Sequence, residues 1–530
     1  MKSIGSFLRL SRIVVGVAVL SLITFLFADF GMKIPAVASW LVKIQLLPAA
    51  MSFAVTIFVA WFIVTLLFGR IYCSTVCPLG VFQDACARLP RLRRRVKPKW
   101  HYHYSAPKSA LRTAVLFVVV LSVFLGLSAL TTLLDPYSIF GRFGVYVVKP
   151  LWAEVLNLWS AVDYAPPIRF GVASLLGAVI AGLTMLAIGV LAFRNGRTFC
   201  NTICPVGTTL SIVSRYSVFR IDINTDKCIQ CRRCEHRCKS SCIDLTSHVV
   251  DTSRCVVCFD CLTECPNDAI SYTHNRHRLS IPLMQRVKEP VAGPAAGMVD
   301  SRSVDVVSST KVVEDKITES NAADDKRQLL DRRQFLTVGA IVASTPLIAN
   351  AAKTVAKVND AASSRQHRNL LAVTPPGVKS RREFLDRCTS CGLCIDRCPQ
   401  KVLRASTDEY GLLRALHPVA NYDESWCVYD CTLCANLCPA GALHPLTIKE
   451  KHSSRSGIAY TDRLSCISYN LTDKCGACAR RCPTEAITMV TPADGKGAHP
   501  VVDIEKCIGC GACQYVCPAE PKAIRVGGLA

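Results

Sequence analysis

The sequence predicts an α-helical membrane domain joined to small α+β domains that are stapled by cysteine side chains. Three observations carry this reading. Four uncharged apolar runs lie within the first 216 residues, and 30 of the 530 residues are cysteine. Those cysteines recur at short repeated spacings, unlike the scattered pairs of a disulfide framework. Hydrophobic residues make up 51% of the chain and charged residues 19%, which excludes a disordered chain and an ordinary soluble globule. A chain this long holds several domains, since one core rarely grows past about 250–300 residues.

Residues 1–216 form the membrane domain. Its apolar runs are 13–28, 44–69, 113–134 and 170–193, of 16, 26, 22 and 24 residues. A spanning helix takes roughly 17–25 mainly apolar residues, and the first run reaches that by including Ser11 or Phe30. A buried soluble helix would keep a polar face, and none is present. The loop between the second and third runs carries nine basic residues from Arg88 to Arg112 and no acidic one. The positive-inside rule then puts both ends of this four-helix unit in the cytoplasm. The net charge of +23 is thus largely membrane topology, and it is not read as nucleic-acid binding.

The four helices fall into two repeats. Gly69-Arg70-Ile71-Tyr72-Cys73-Ser74-Thr75-Val76-Cys77-Pro78-Leu79-Gly80 follows the second run, and the segment from Gly196 through Cys200, Cys204 and Pro205 to Gly207 follows the fourth. Seven of the twelve positions are identical. Cys73, Cys77, Cys200 and Cys204 therefore face one side of the membrane. Four such thiols could bind one metal centre or cycle between dithiol and disulfide. The competing reading is a pair of structural turns with buried cysteines.

Residues 217–278 read as a cytoplasmic two-cluster module. Cys228, Cys231, Cys234 and Cys238 form one Cys-x2-Cys-x2-Cys-x3-Cys block, and Cys255, Cys258, Cys261 and Cys265 form a second, with Pro266 after it. This is the bacterial ferredoxin run for two [4Fe–4S] cubes, in which the fourth cysteine of each block crosses to the other cube. The assignment is Cys228, Cys231, Cys234 and Cys265 on one cube, and Cys255, Cys258, Cys261 and Cys238 on the other. Structural zinc would use pairs of cysteines separated by a longer gap. Cys86 and Cys242 stand outside the pattern and read as structural.

Residues 279–330 have the composition of a flexible linker. Residues 331–353 begin Asp331-Arg332-Arg333-Gln334-Phe335-Leu336, and the 19 residues from Gln334 to Ala352 carry no charge. A twin arginine, a modest apolar run and a small-residue exit resemble a twin-arginine export signal. Retained in place, the segment is a fifth, anchoring helix. A second linker covers 354–378.

Residues 379–530 hold four more blocks. They are Cys388, Cys391, Cys394, Cys398; Cys427, Cys431, Cys434, Cys438; Cys466, Cys475, Cys478, Cys482; and Cys507, Cys510, Cys513, Cys517. Sixteen thiolates supply four cubes. The long loop after Cys466 makes it the weakest ligand assignment. Six [4Fe–4S] clusters are expected in all. No dinucleotide, phosphate-loop, haem-attachment or flavin motif accompanies them, so the chain is expected to move electrons one at a time.

Helix pairs ending in Cys-x-x-x-Cys-Pro, followed by a two-cluster ferredoxin, resemble the NapH family of membrane quinol dehydrogenase subunits. They are also similar to membrane proteins that support nitrous oxide reductase and cytochrome oxidase assembly. The twin-arginine segment with four cluster blocks resembles the exported NapG and MauM ferredoxins. The chain looks like the two subunits fused end to end.

That resemblance implies a protein of the bacterial inner membrane. It would pass electrons from quinol to a periplasmic cytochrome or nitrate-reductase-type acceptor, with the C-terminal ferredoxin domain periplasmic. It also suggests that among the four C-terminal blocks the first exchanges its last cysteine with the fourth, and the second with the third. A different role is an accessory protein supplying electrons for maturation or reactivation of a metalloenzyme. A quinone could lie against the loop carrying Tyr137, Phe140, Tyr146, Trp152, Trp159 and Tyr164, though interfacial aromatic anchoring explains those residues as well. His101 and His103 could take up a quinol proton, or simply line a solvated loop.

Overall fold

The computed structural model describes residues 2–28, 37–89, 102–126, 128–160, 175–274, 371–470, 475–491 and 498–529. Residues 1–276 and 361–530 form one compact unit. The 279–330 linker, the twin-arginine segment, His101 and Tyr164 lie outside the described residues.

The helical domain begins with α1 (Lys2–Ala28). At about 1.5 Å per residue this helix is roughly 40 Å long. After it come α2 (Val37–Lys43), α3 (Leu46–Met51), α4 (Val55–Phe68), α5 (Tyr72–Thr75) and α6 (Pro78–Cys86). Next are α7 (Ser109–Phe124), α8 (Ser128–Leu134), α9 (Pro136–Phe143), a π-helical turn Gly144–Val148 and α10 (Lys149–Ser160). The domain closes with α11 (Leu175–Asn195), α12 (Thr198–Thr202) and α13 (Pro205–Ser214).

Two apolar runs are interrupted where the sequence suggests continuous helices. The 44–69 run breaks between α3 and α4, where Phe53 takes a φ of 55°. The 113–134 run breaks after α7 at Gly126, whose φ is 68° and whose carbonyl accepts from Arg414 Nη2 at 3.3 Å. Hydropathy reports the transfer energy of side chains and is blind to such a change of backbone direction. Among the described residues, Ile4–Phe27 and Gly177–Asn195 are long and apolar enough to cross a membrane, and Val55–Phe68 and Ser109–Phe124 are shorter apolar helices.

The sequence repeat is a structural repeat. α4 and α11 end at Gly69 (φ 78°) and Gly196 (φ 68°), a left-handed exit that glycine makes without steric cost. A short helix carrying the first cysteine follows each. The second cysteine is the N-cap of the next helix, with proline at its first position. Proline is suited there because its missing N–H would have no intrahelical partner.

The first ferredoxin domain is closed by β1 (Phe219–Ile223) and β4 (Ile270–His274), antiparallel with Ile221 opposite Tyr272. Between them lie a hairpin, β2 (Ile243–Asp244) with β3 (Val249–Val250), and the helices Arg233–Arg237 and Asp260–Glu264. Five-residue helices are far too short to persist alone, so they depend on the loops they cap. The C-terminal region has two such modules. β5 (Leu403–Ala405) pairs with β6 (Pro418–Ala420) in one. In the other, β7 (Gly457–Thr461) pairs with β10 (Ile524–Gly528) around the hairpin of β8 (Ile487–Val490) and β9 (His499–Val502).

The two ferredoxin regions sit at opposite ends of α1. Near its start, Arg9 Nε lies 2.9 Å from Asp260 Oδ1. Near its end, the carbonyl of Leu26 accepts a hydrogen bond from Arg397. Arg9 and Leu26 are 17 residues apart in one helix, about 26 Å along its axis.

Candidate metal centres

The cluster loops are preshaped by backbone conformation. Gln230, Val257 and Ser390 have φ near 50°, and Gly509 has 71°; each precedes the second cysteine of its block. The residue after that cysteine is also left-handed: Arg232, Phe259, Gly392, Gly476 and Gly511. Left-handed residues alternating with right-handed ones turn successive amides inward, making a nest for an anion. An iron–sulfur cube with four thiolates is such an anion. Non-glycine residues bear this strain at several positions, as functional loops do.

The cysteines ring cavities of matching composition. Cys228, Cys231, Cys234 and Cys265 line one, with Pro266. Cys398, Cys427, Cys431 and Cys434 line a second, and Cys466, Cys475, Cys478 and Cys517 line a third. Cys466, the weakest assignment from spacing, thus faces the three thiols it needs. Cys261 feels the charges of Cys258, Cys255 and Cys238, which completes the other cube of the first domain. The donor sets fit [4Fe–4S] clusters.

In the first domain Cys265 lies with the cysteines of the first block, and Cys238 with those of the second. In the C-terminal region the exchange differs from the pairing drawn by analogy. Cys394 has Cys388, Cys391 and Cys438 as neighbours, while Cys398 joins the second block. Cys517 joins the third block, and Cys482 lies beside Cys513 and Cys510. The first block therefore exchanges with the second, and the third with the fourth. The short connections inside each module hold adjacent blocks together, a constraint that spacing within a block does not carry.

Burial pushes the thiols of Cys234, Cys391 and Cys434 up to about 12, and those of Cys478 and Cys510 up to about 11. Iron binds the thiolate, so cluster assembly must displace these protons.

Cys73, Cys77, Cys200 and Cys204 come together in the helical domain, each 3% exposed. Cys77 feels the charges of Cys200 and Cys73, and Cys204 those of Cys200, Cys77 and Cys73. The repeats embrace each other. Arg70 Nη2 donates to the Cys200 carbonyl at 3.3 Å, and Arg197 Nη1 donates to the Cys73 carbonyl at 2.6 Å. A Cβ on Gly80 would stand 2.1 Å from the Cys73 carbonyl oxygen, and one on Gly207 2.2 Å from that of Cys200. Only glycine allows this approach.

A buried ionic network joins this thiol group to the first ferredoxin domain. Asp84 pairs with Arg12 at 2.6 Å, Arg197 at 2.9 Å and Lys239 at 3.3 Å. Burial alone would raise the Asp84 carboxyl; Arg197, Lys239 and Arg12 overcome it and hold it well below the usual carboxylate range. Lys239 adjoins Cys238 and also pairs with Asp260 at 2.8 Å.

Cys73, Cys77 and Cys204 share one continuous buried cluster with Tyr72, Tyr137, Phe140 and Cys391. Cys258 packs against the same cluster from the first domain. Tyr137, Phe140 and Tyr146 are thus buried, beneath the C-terminal modules, and are not interfacial anchors. Trp152 is 41% exposed, as an anchor would be. His103 stacks edge-on against His236, on the first ferredoxin domain.

Sequence reasoning set Cys242 aside as structural. Its sulfur lies 3.5 Å from that of Cys238, and it also hydrogen-bonds Cys255. Asp84, Arg70, Arg197 and Lys239 had no signal beyond the repeated Gly-Arg step.

A family described as a 4Fe-4S binding domain matches residues 51–97 and 176–224, which contain the paired thiols. A family described as a 4Fe-4S dicluster domain matches 386–442 and 473–520, the same two modules seen in the fold. The methylamine utilization ferredoxin-type protein MauM of Methylophilus methylotrophus is 34% identical over 169 residues, covering 31% of this chain and 74% of that protein. MauM of Methylobacillus flagellatus is 31% identical over 156 residues, covering 29% of this chain and 66% of that protein, just under two thirds of its length. The ferredoxin-type protein NapG of Escherichia coli is 33% identical over 160 residues, covering 29% and 68%. No solved structure matches the chain.

Proposed function

The chain belongs to the family of MauM- and NapG-type ferredoxin proteins, and from that premise we propose that it is a membrane electron carrier fed by quinol. Its iron–sulfur, electron-transferring character follows from the domains it contains. In the fuller reading the helical domain crosses the bacterial inner membrane as a NapH-like unit. The first ferredoxin domain is then cytoplasmic and the C-terminal modules are periplasmic. Electrons pass to a periplasmic cytochrome or a nitrate-reductase-type enzyme.

The observation that carries this reading is the separation of the ferredoxin regions along α1. About 26 Å of helix lies between their contacts, close to the roughly 30 Å of a hydrocarbon core. The end holding the first domain also gathers Arg9, Arg12 and Arg88, in keeping with a cytoplasmic face.

Within the C-terminal modules neighbouring cluster sites adjoin one another. The cube at Cys391 adjoins that at Cys427 through their exchanged cysteines, and Cys427 N donates to the Cys510 carbonyl at 2.9 Å. The quinol head group would meet the protein beside Cys391. The Tyr137 hydroxyl is buried there with no hydrogen-bond partner among the described residues, a costly arrangement unless a ligand completes it.

The test is anaerobic reduction of the full chain in nanodiscs by menaquinol or ubiquinol, followed by EPR, with dithionite as the control. Reduction by quinol, slowed by Tyr137→Phe, is expected. Reduction by dithionite alone would remove the donor and leave the accessory role in maturation as the better account.

A further inference from the structure

We propose that Arg112, Arg254, Arg70 and Arg215 bind one phosphate-class oxyanion where the first ferredoxin domain meets the helical domain. The anion is the phosphate of an acidic phospholipid head group or free inorganic phosphate. The proposal involves neither quinol nor the electron path, so it stands apart from the reading above.

Unfilled donors carry the argument first. Arg112 lies in the first turn of α7 and is 3% exposed. Its Nε and Nη2 are buried and have no hydrogen-bond partner among the described residues. These two nitrogens form the side-on edge of the guanidinium, where two N–H bonds run parallel. That edge matches two oxygens of one oxyanion. A buried cation whose donors go unfilled is costly, and an anion at the edge removes the cost. The Nη2 of Arg254 and the Nε of Arg70 are also buried without a hydrogen-bond partner among the described residues. A carboxylate offers two oxygens, whereas a phosphate group offers enough acceptors for donors from several arginines.

Charge carries it second. The charges acting on Arg112 are those of Arg70, Asp251, Arg215 and Arg254, three cations and one carboxylate. That carboxylate is already engaged. Asp251 Oδ2 accepts from Arg254 Nε at 2.7 Å, and its Oδ1 accepts from the Ser253 amide at 3.0 Å and the Ser253 hydroxyl at 2.6 Å. Arg112, Arg70 and Arg254 are all buried. Like charges repel more strongly there than in water, so a bound phosphate offsets a real excess.

Placement carries it third. The turn 251–254 gathers the four arginines. Arg70 Nη1 donates to the Ser253 carbonyl at 3.0 Å. Ser214 Oγ donates to the Thr252 carbonyl at 3.1 Å, and Arg215 follows Ser214 as the C-cap of α13. Arg254 Nη1 donates to the Ser105 carbonyl at 2.6 Å, just ahead of α7. α7 itself packs against α12 and α13. The helical domain thus supplies Arg70, Arg112 and Arg215, and the ferredoxin domain supplies Arg254. An anion held by both fastens one domain to the other. If the helical domain spans the membrane as proposed, this face is cytoplasmic, and basic pockets between helices on that side suit acidic head groups.

The experiment uses the full chain in detergent, freed of lipid, in phosphate-free buffer. Equilibrium dialysis with radiolabelled inorganic phosphate should show one site per chain. Arg112→Lys keeps the charge but removes the side-on edge. It should weaken binding by about tenfold or more, the loss expected for a hydrogen bond to a charged group. Should that variant fail to fold, Arg215→Gln, at an exposed position, gives a separate reading and should weaken binding by a smaller factor. In a second arm the chain is placed in phosphatidylcholine nanodiscs with or without phosphatidylglycerol, and native mass spectrometry counts the lipid kept on release. Phosphatidylglycerol kept by the unmodified chain and lost from Arg112→Lys supports the site and assigns it to a lipid head group. Phosphate bound in the first arm with no such lipid supports the site and assigns it to free phosphate. Binding that neither substitution weakens, or no binding of either probe, overturns it.

Discussion

Lys149 Nζ lies 2.5 Å from Asp396 Oδ1, with both side chains buried. This pair joins α10, in the helical domain, to the loop of the Cys391 cube. Lys149→Ala would leave the buried carboxylate to the longer Arg397 contact at 3.7 Å, a penalty of up to about 3–5 kcal/mol for a broken buried pair. Burial already raises the Asp396 carboxyl in spite of Lys149. Without the lysine the acid takes up a proton more readily, so the defect should shrink as pH falls. Hydrogen exchange across 393–397 reads this directly, and protection equal to that of the unmodified protein at all pH values would refute it.

Gly207→Ala forces a methyl group to 2.2 Å from the Cys200 carbonyl and 2.8 Å from Arg70 Nη2. Both are held by the embrace of the repeats and have nowhere to go. Overpacking of this kind costs about 1–3 kcal/mol. A clear drop in the thermal midpoint in detergent is expected, and the equivalent Gly80→Ala should behave alike.

Cys438→Ser should remove the cube held by Cys391, not the one held by Cys434. Combining it with Cys391→Ser should then cost no more iron than either change alone. Combining it with Cys398→Ser should cost two cubes. Two cubes lost from Cys438→Ser with Cys391→Ser, and only one from Cys438→Ser with Cys434→Ser, would restore block-by-block ligation.

His417 is fully buried between Ser390 Oγ at 3.1 Å and the Leu385 carbonyl at 3.3 Å. Burial lowers its pKa to about 4, against about 6.5 in the unfolded chain. The unfolded state therefore binds the extra proton. The stability is complete above about pH 6.5 and is lost as pH falls toward about 4, to a total of about 3 kcal/mol. Denaturation of the protein against His417→Gln across that window should show the slope disappear in the variant.

Cluster assembly should favour higher pH. Thiols raised to about 11 or 12 by burial, such as those of Cys478 and Cys434, must give up protons to bind iron. Reconstitution of apoprotein should release protons in a pH-stat and grow tighter as pH rises. An assembly constant flat with pH would contradict this.

The sequence by itself determined the chemistry and most of the parts. Cysteine spacing is local, because one tight loop must deliver three thiolates to one cube, so the cluster blocks were legible without a fold. The doubled Cys-x-x-x-Cys-Pro was legible for the same reason. The apolar runs pointed to the helical domain, but the turns at Phe53 and Gly126 were invisible, since hydropathy carries no backbone direction. Only the tertiary structure decided which block gives its last cysteine to which, because that exchange depends on how modules pack. It alone joined the two thiol pairs, set Arg70 and Arg197 across each other's motifs, and brought Cys258 and Cys391 to the same buried core. Those relations couple residues more than a hundred positions apart. At that distance the chain leaves no spacing to read, and contact is settled by packing, charge and the shape of the buried core.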